Sequence, residues 1–287
     1  MHIRPRLTET QYNWWQLKQL YDKKMYSVLF FSDCHGWLCD LTTTRCINQI
    51  LQHNNFNEVC INGDITDMPY ISKHTGKLYE DGILAGYSEI KEIDYTKEQI
   101  LKPLRLSTDA KIRIRLGNHD ERITKPINIS QSQLAKLAIL FKNFNTTHYG
   151  EMLGVNNTDG FIYDESDCYT YFDIFDCVHG LSLNKNASER NIMEYMSSGT
   201  SGHTHRLNSK YLTNKKSPYV WFESGCTRIA EQVEYFPTGK VADWQNGFLV
   251  VNFLVESDKV RFYATPVIII EGKCFYNGVL YDGNLKK

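Results

Sequence analysis

Apolar and polar positions along the chain alternate in two rhythms, short strand-like runs and longer helical ones. Tyr26-Ser27-Val28-Leu29-Phe30-Phe31 is nearly continuous in apolar residues, as strands buried on both faces are. Phe56 to Asn62 has the same character, with Val59-Cys60-Ile61 at its centre. Between them, Thr42 to Thr44 can cap a helix whose inner stripe is Cys46, Ile47, Ile50 and Leu51. A β-α-β unit thus closes within about forty residues, the size such units require. Lys111 to Leu116 alternates cation and aliphatic with the period of two that marks a strand.

The remaining pattern predicts further elements on either side. Residues 8 to 22 place Tyr12, Trp14, Trp15, Leu17, Leu20 and Tyr21 at helical spacing, an N-terminal helical extension over about 1–25. Residues 68–95 are polar, tyrosine-rich and without clear period, which reads as a surface insertion over the loop edge of the sheet. A helix from Thr96 to Leu106, bent at Pro103, follows, and then an amphipathic helix from Gln131 to Phe141 with Leu134, Leu137, Ala138 and Phe141 inward. Phe161 to Tyr163 and Tyr169 to Val178 read as strands, and 187–196 as a helix. Tyr219 to Phe222, Gly247 to Val255, Val260 to Tyr263 and Val267 to Ile270 read as antiparallel strands of a second sheet. Nothing repeats at a fixed period, so the expectation is one α/β domain over 1–287.

Composition narrows the class. The chain has 42% hydrophobic and 13% aromatic residues, ample for a core, and a formal net charge of −1. With no global basic field, any contact with nucleic acid must rest on a local patch. The eight cysteines form no Cys-x-x-Cys pair and several lie in apolar runs, as reduced, buried thiols do. No stretch reaches the roughly 18 apolar residues of a membrane span, and the first residues carry charge without an apolar stretch behind them. The expectation is a soluble, cytoplasmic protein without membrane contact.

The chemistry lies where the strand runs stop. The first ends in Asp33-Cys34-His35, the second in Gly63-Asp64-Ile65-Thr66-Asp67, the third in Gly117-Asn118-His119-Asp120. Later runs stop at His179-Gly180 and at Gly202-His203-Thr204-His205. Alone, an Asp-x-His is more readily a hydrogen-bonded loop, and a Gly-Asp pair an Asx turn. Repetition at successive strand ends changes the weighing, because ligands bind beyond the carboxyl ends of strands in α/β sheets. Residues two apart in extended backbone share a side, so carboxylate and imidazole can meet on one cation. Asp33, His35, Asp64, Asn118, His179, His203 and His205 are more donors than one tetrahedral ion needs, which implies two ions. A set of imidazole and carboxylate without thiolate suits manganese, iron or zinc better than calcium.

The order Asp-x-His, Gly-Asp-x-x-Asp, Gly-Asn-His-Asp, Val-His-Gly, Gly-His-Thr-His resembles the calcineurin-like metallophosphoesterase superfamily, across Asp33 to His205. The resemblance implies a two-sheet β-sandwich flanked by helices. It also implies that Asp33, His35 and His205 bind one metal, Asn118, His179 and His203 the other, and that Asp64 bridges them. By the same resemblance His119 is the catalytic histidine and Asp67 orients its ring. Arg122 and Arg206, near these ligands in sequence, are candidates to grip phosphate oxygens. The implied cofactors are two divalent transition-metal ions, manganese first, with iron, zinc or nickel as alternatives. The implied reaction is hydrolysis of a phosphodiester or phosphomonoester, of a nucleotide or nucleic acid among others, by a metal-bridging hydroxide.

Departures from the family's branches are informative. Asp67 is followed by Met68-Pro69-Tyr70 instead of the Arg-Gly of the Ser/Thr protein phosphatases. No long C-terminal capping domain like that of the double-strand-break exonucleases is evident. The chain looks most like compact bacteriophage phosphoesterases, which would place it in a host's cytoplasm. A nuclease of the repair branch and a catalytically weak metal-binding scaffold are the alternatives. The presence of His119 and Asp67 favours turnover over the scaffold.

Overall fold

The apolar run at 26–31 becomes the strand around which the larger sheet is built. In the computed structural model, which describes residues 24–71, 88–126, 129–157, 159–180, 182–215, 217–229 and 242–285, β1 (Lys24–Phe31) pairs in parallel with β2 (Glu58–Asn62). β2 pairs in parallel with β3 (Lys111–Arg115), and β3 with β4 (Phe161–Asp164). On its other side β1 is antiparallel to β10 (Gly247–Val255), and β10 to the edge strand β11 (Val260–Ile268). The second sheet runs in the order β5 (Cys168–Tyr171), β6 (Phe175–Val178), β7 (Ser198–Ser201), β9 (Pro218–Ser224), β8 (Leu207–Thr213), with β6, β7 and β9 parallel.

Side-chain alternation sorts the strands' residues into layers. Leu29, Phe31, Val59, Ile61, Phe248 and Val250 face an outer core shared with the helices. Val28, Phe30, Cys60, Leu249, Val251 and Phe253 face inward and meet Tyr171, Phe175, Cys177 and Phe222 of the second sheet. On the far side of that sheet, Val178 and Trp221 pack with Ile192 of the helix Ala187–Tyr195. The result is the expected sandwich of two sheets between helices. β3 adds a polar feature to the inter-sheet space. Arg113 and Arg115, the cations of its alternation, are buried there, with Arg113 paired to Glu58 at 2.7 Å and Asp164 at 3.1 Å.

Several expectations need correction. The late strands do not all form the second sheet: β10 and β11 extend the first, because β10 lies against β1 along its whole length. Val260–Tyr263 and Val267–Ile270 are mostly one strand, β11, which tolerates Pro266 because it is an edge. Tyr169 to Val178 is a hairpin of β5 and β6, broken at Phe172 and Asp173 by left-handed backbone. The helix Leu41–His53 is capped by Asp40, whose side chain accepts from Thr42 N–H, and not by the threonines. In the helix Gln131–Phe144 the buried pair is Leu137 and Leu140, while Leu134 is 58% exposed, so the inner stripe is rotated from the expected one.

The expected insertion ends earlier than the polar pattern implies. A helix begins at Glu89, capped by Ser88, and continues through a π-helical stretch, Thr96–Leu101, into Lys102–Leu106. In that stretch Lys102 N–H reaches the Lys97 carbonyl, and the wider turn leads into Pro103, which has no N–H to give. The expected helix at 8 to 22, and residues 72–87 of the expected insertion, lie outside the described residues. All eight cysteines are free, and all but the half-buried Cys168 are buried. Among the described residues no helix is long and apolar enough to cross a membrane.

Candidate metal centre

The loops after β1, β2, β3, β6 and β7 meet at one edge of the sandwich. The first two are zipped together by backbone bonds, Asp33 N–H to Gly63 O at 3.0 Å and His35 N–H to Asp64 O at 2.9 Å. Asp33, His35, Asp64, His203 and His205 all have φ between 53° and 67°, a region that non-glycine residues rarely adopt. Each such residue costs on the order of 1–3 kcal/mol. Five of them at one edge are not there for stability, and they turn successive side chains toward a common point. The approach is too close for a side chain at Gly63 or Gly117: a Cβ at Gly63 would overlap His179, and one at Gly117 would overlap Asp64.

All seven expected ligands come together. Asp33, His35 and His205 form one donor set and Asp64, His179 and His203 another, with His35, Asp64 and His119 a third that overlaps both, the ligand atoms of each lying within 4.8 Å of one another. His205 Nε2 is 3.2 Å from Asp33 Oδ1 and 3.1 Å from His35 Nε2. His179 Nε2 is 3.1 Å from Asp64 Oδ2 and 4.0 Å from Asp33 Oδ1, so the two sets adjoin. Asn118 Oδ1 joins the second set at 2.7 Å from His203 Nδ1.

These residues fit divalent ions. His179, only 6% exposed, bonds the Asn62 carbonyl through Nδ1 at 2.8 Å and turns its buried Nε2 toward Asp64. His35 likewise gives Nδ1 to Asp67 Oδ1 at 2.7 Å and turns Nε2 inward. Anchoring one ring nitrogen so that the other faces a shared point is how metal-binding histidines are held. Burial drives His35 down to about 3 and His203 to about 4, so both rings are neutral at pH 7, the form that ligates. Burial also opposes charge on His179, but Asp64 outweighs it and pushes that ring up to about 10. Asp33 is held at about 2, because His205 and His179 overcome the effect of its burial.

Asp67 serves two rings, where the sequence suggested one. Its Oδ1 lies 3.0 Å from His119 Nδ1 as well as 2.7 Å from His35 Nδ1, and its carbonyl is 2.9 Å from His119 Nδ1. Arg122 donates to that carbonyl at 2.6 Å and places Nη2 3.2 Å from His119 Nε2. Arg206 bonds the carbonyls of Leu183 and Asn184 at 3.2 and 2.8 Å, with Nε 3.5 Å from Glu223.

Other residues of the centre carry a weaker mark in the sequence, or none. Buried Asp120 accepts from the N–H groups of Gly117, Ile65 and Thr66 and from the hydroxyls of Thr66 and Tyr149, tying the second loop to the third. It sits inside the Gly-Asn-His-Asp run, and so had a signal. Glu92 accepts from Asp67 N–H at 2.7 Å and Met68 N–H at 3.1 Å, although nothing in its polar neighbourhood marks it. Trp244 lies edge-on to His205 at 4.2 Å, and Arg228 Nη1 is 4.0 Å from Asp67 Oδ1. A cleft of about 430 Å³ opens from Asn118 and His179 toward Lys125, Arg190 and Tyr195.

Comparison with solved structures gives distant similarities. Vacuolar Protein Sorting 29 from Cryptosporidium parvum aligns over 84% of this chain and 97% of its own, at 12% identity and a TM-score of 0.38. Wild-type Vps29 from Entamoeba histolytica complexed with zinc aligns over 84% and 98%, at 10% identity and a TM-score of 0.37. Purple acid phosphatase PPD1 from yellow lupin aligns over 85% of this chain and 53% of its own, at 12% identity and a TM-score of 0.36. No curated protein matches the chain. The family model for calcineurin-like phosphoesterases matches residues 26–256. That span runs from β1 through β10 and includes every loop that meets at the centre, and the chain belongs to the calcineurin-like phosphoesterase family.

Proposed function

We propose that this protein is a binuclear, metal-dependent phosphoesterase acting on phosphodiesters, with manganese as its working ion. The observation that carries the reading is the pair of adjoining donor sets, Asp33–His35–His205 and Asp64–His179–His203, with Asn118 beside the second. One ion does not need seven donors, and Asp64 is suited to lie between two. When bound, such ions stabilise charge on phosphate oxygens and lower the pKa of water.

The chain's own residues supply the rest. With His119 Nδ1 held by Asp67, Nε2, which faces Arg122 Nη2 at 3.2 Å, is the nitrogen that would give a proton to a departing alkoxide. Burial opposes the charged ring, but Asp64 and Asp67 outweigh it and raise His119 above its ordinary value, which favours the proton-bearing form. Arg122, beside that nitrogen, is suited to hold a phosphate oxygen. The cleft favours diesters over monoesters. It has room for a second alcohol, and its cations are already engaged, Lys125 with Glu121 and Asp167, Arg190 near Glu194. A monoester, with one more charge, would gain little there.

The test is metal-stripped protein reconstituted with manganese, assayed for ion content and for hydrolysis of bis-p-nitrophenyl phosphate against p-nitrophenyl phosphate. The expected result is two ions per chain and faster hydrolysis of the diester. One ion or fewer, or no hydrolysis of either ester, refutes the proposal.

A further inference from the structure

Arg115 is an unexpected side chain so near the centre, a guanidinium 1% exposed inside the sandwich. Its fork spans several segments. Nη1 donates to Asn62 Oδ1 at 3.1 Å and to the Cys177 carbonyl, Nη2 donates to the Ser166 carbonyl at 2.6 Å, and Nε lies 3.7 Å from Asp164 Oδ2. Asn62 extends the connection. Its Nδ2 donates to the Val178 carbonyl at 2.7 Å, and its own carbonyl accepts from His179 Nδ1 at 2.8 Å.

The segments so joined share a property. Asp64 follows Asn62 by two residues, Asn118 follows Arg115 by three, and His179 follows Cys177 by two. All three belong to the same donor set. His203, its remaining member, is fixed to Asn118 at 2.7 Å. Asp33 and His35 follow β1, which none of these Arg115 bonds reaches, and His205 follows β7, which they reach only through the Asn118 contact of His203. Stability alone does not call for an arginine here, since an apolar residue of similar volume often serves as well as a buried ion pair. What only arginine offers is a planar fork of five donors able to bind three acceptors in different directions.

We propose that Arg115 is a positioning residue chiefly for one ion site, the one whose donors besides the shared Asp64 are Asn118, His179 and His203, acting through Asn62 to hold the ends of β2, β3 and β6 in register. The proposal rests on the two-ion reading above. Arg113 provides an internal control. It lies on the same face of the same strand, also buried in an ion-pair network, and shares Asp164 with Arg115, but its closest partner is Glu58, and neither carboxylate adjoins a ligand. A merely structural role would make the two arginines equivalent.

The experiment is calorimetric titration of metal-free protein with manganese, with paramagnetic resonance reporting whether bound ions are coupled in pairs. Wild-type protein is expected to take two ions. Arg115→Lys is expected to weaken one affinity about 10- to 100-fold, the usual cost of removing a group that orients a ligand, and the other by much less. At one equivalent its spectrum should be that of isolated manganese. Adding His205→Ala to Arg115→Lys should then remove the retained ion. Arg113→Lys should leave the ratio of the two affinities unchanged. If Arg115→Lys fails to fold, Asn62→Ala, which keeps the carbonyl that holds His179, should give the same one-sided loss. Equal weakening of both ions, no weakening, or the same asymmetry from Arg113→Lys overturns the proposal. A wild-type protein that binds fewer than two ions overturns the reading beneath it as well.

Discussion

Asp67→Asn separates two duties that meet on one oxygen. Asp67 Oδ1 lies 2.7 Å from His35 Nδ1 and 3.0 Å from His119 Nδ1, so a single carboxylate orients both a proposed ligand and the proposed acid. A hydrogen bond to a charged group contributes about 1.5–3 kcal/mol, roughly twice a neutral one. The amide keeps an acceptor but loses the charge, so about 1 kcal/mol should go from each bond, or roughly fivefold in each equilibrium. At His35 this appears as weaker manganese binding, and at His119 as lower kcat. Activity with limiting metal should therefore fall about 25-fold, the product of the two, while saturating metal recovers all but about fivefold. The pH profile supplies a second check. Burial depresses His119 and the carboxylates raise it, so without the Asp67 charge the ring loses its proton at lower pH. The alkaline limb of kcat should move down in pH. Full turnover at saturating manganese would show that Asp67 does not serve His119, and unchanged manganese affinity would show that it does not serve His35.

Two further outcomes are expected. His119→Asn should retain both ions yet lower kcat about 10²- to 10⁴-fold on esters with alkoxide leaving groups, and far less on p-nitrophenyl esters, whose leaving anion needs no proton. Equal impairment on both, measured by steady-state kinetics, would assign His119 to holding the phosphate, and loss of an ion would make it a ligand. Manganese binding at pH 7 should release about one proton, because His179, pushed up to about 10 by Asp64 despite its burial, must become neutral to ligate. Affinity should therefore rise with pH, and titration heats that do not vary between buffers of different ionisation enthalpy would refute this.

The fold was legible where a segment's own residues decide its environment. β1 and β2 are apolar on both faces, and only the middle of a sandwich accommodates that. Partners chosen across the chain were not legible. Gly247–Val255 is as apolar as β1, and nothing within it says whether it extends the first sheet or begins the second. The inner face of the helix Gln131–Phe144 was not legible for a related reason, since Leu134 looks like a core residue but stands 58% exposed at the helix's first turn. Arg113 and Arg115 mark the opposite error. Their alternation shows a strand, but the sequence does not show that the charged face lies between two sheets.

The same division runs through the candidate centre. Its donors were legible because an ion is small: two donors that one loop brings to it sit close together, as Asp33 and His35 do, and that spacing survives in the sequence. The groups that hold the donors obey no such rule. Glu92 supports Asp67 from 25 residues away, Asp67 supports His35 from 32, and Asn62 supports His179 from 117. Glu92 and Asn62 are ordinary polar residues until the fold buries each beside its partner. In water a carboxylate such as Glu92 would be solvated, but here it caps two N–H groups of the loop that carries Asp67. Orientation of a ligand depends on such neighbours about as strongly as affinity depends on the ligand itself. Two chains with identical motifs can therefore differ in which ions they hold, and how tightly, through substitutions at positions such as Asn62, Glu92 and Arg115 that a motif does not contain.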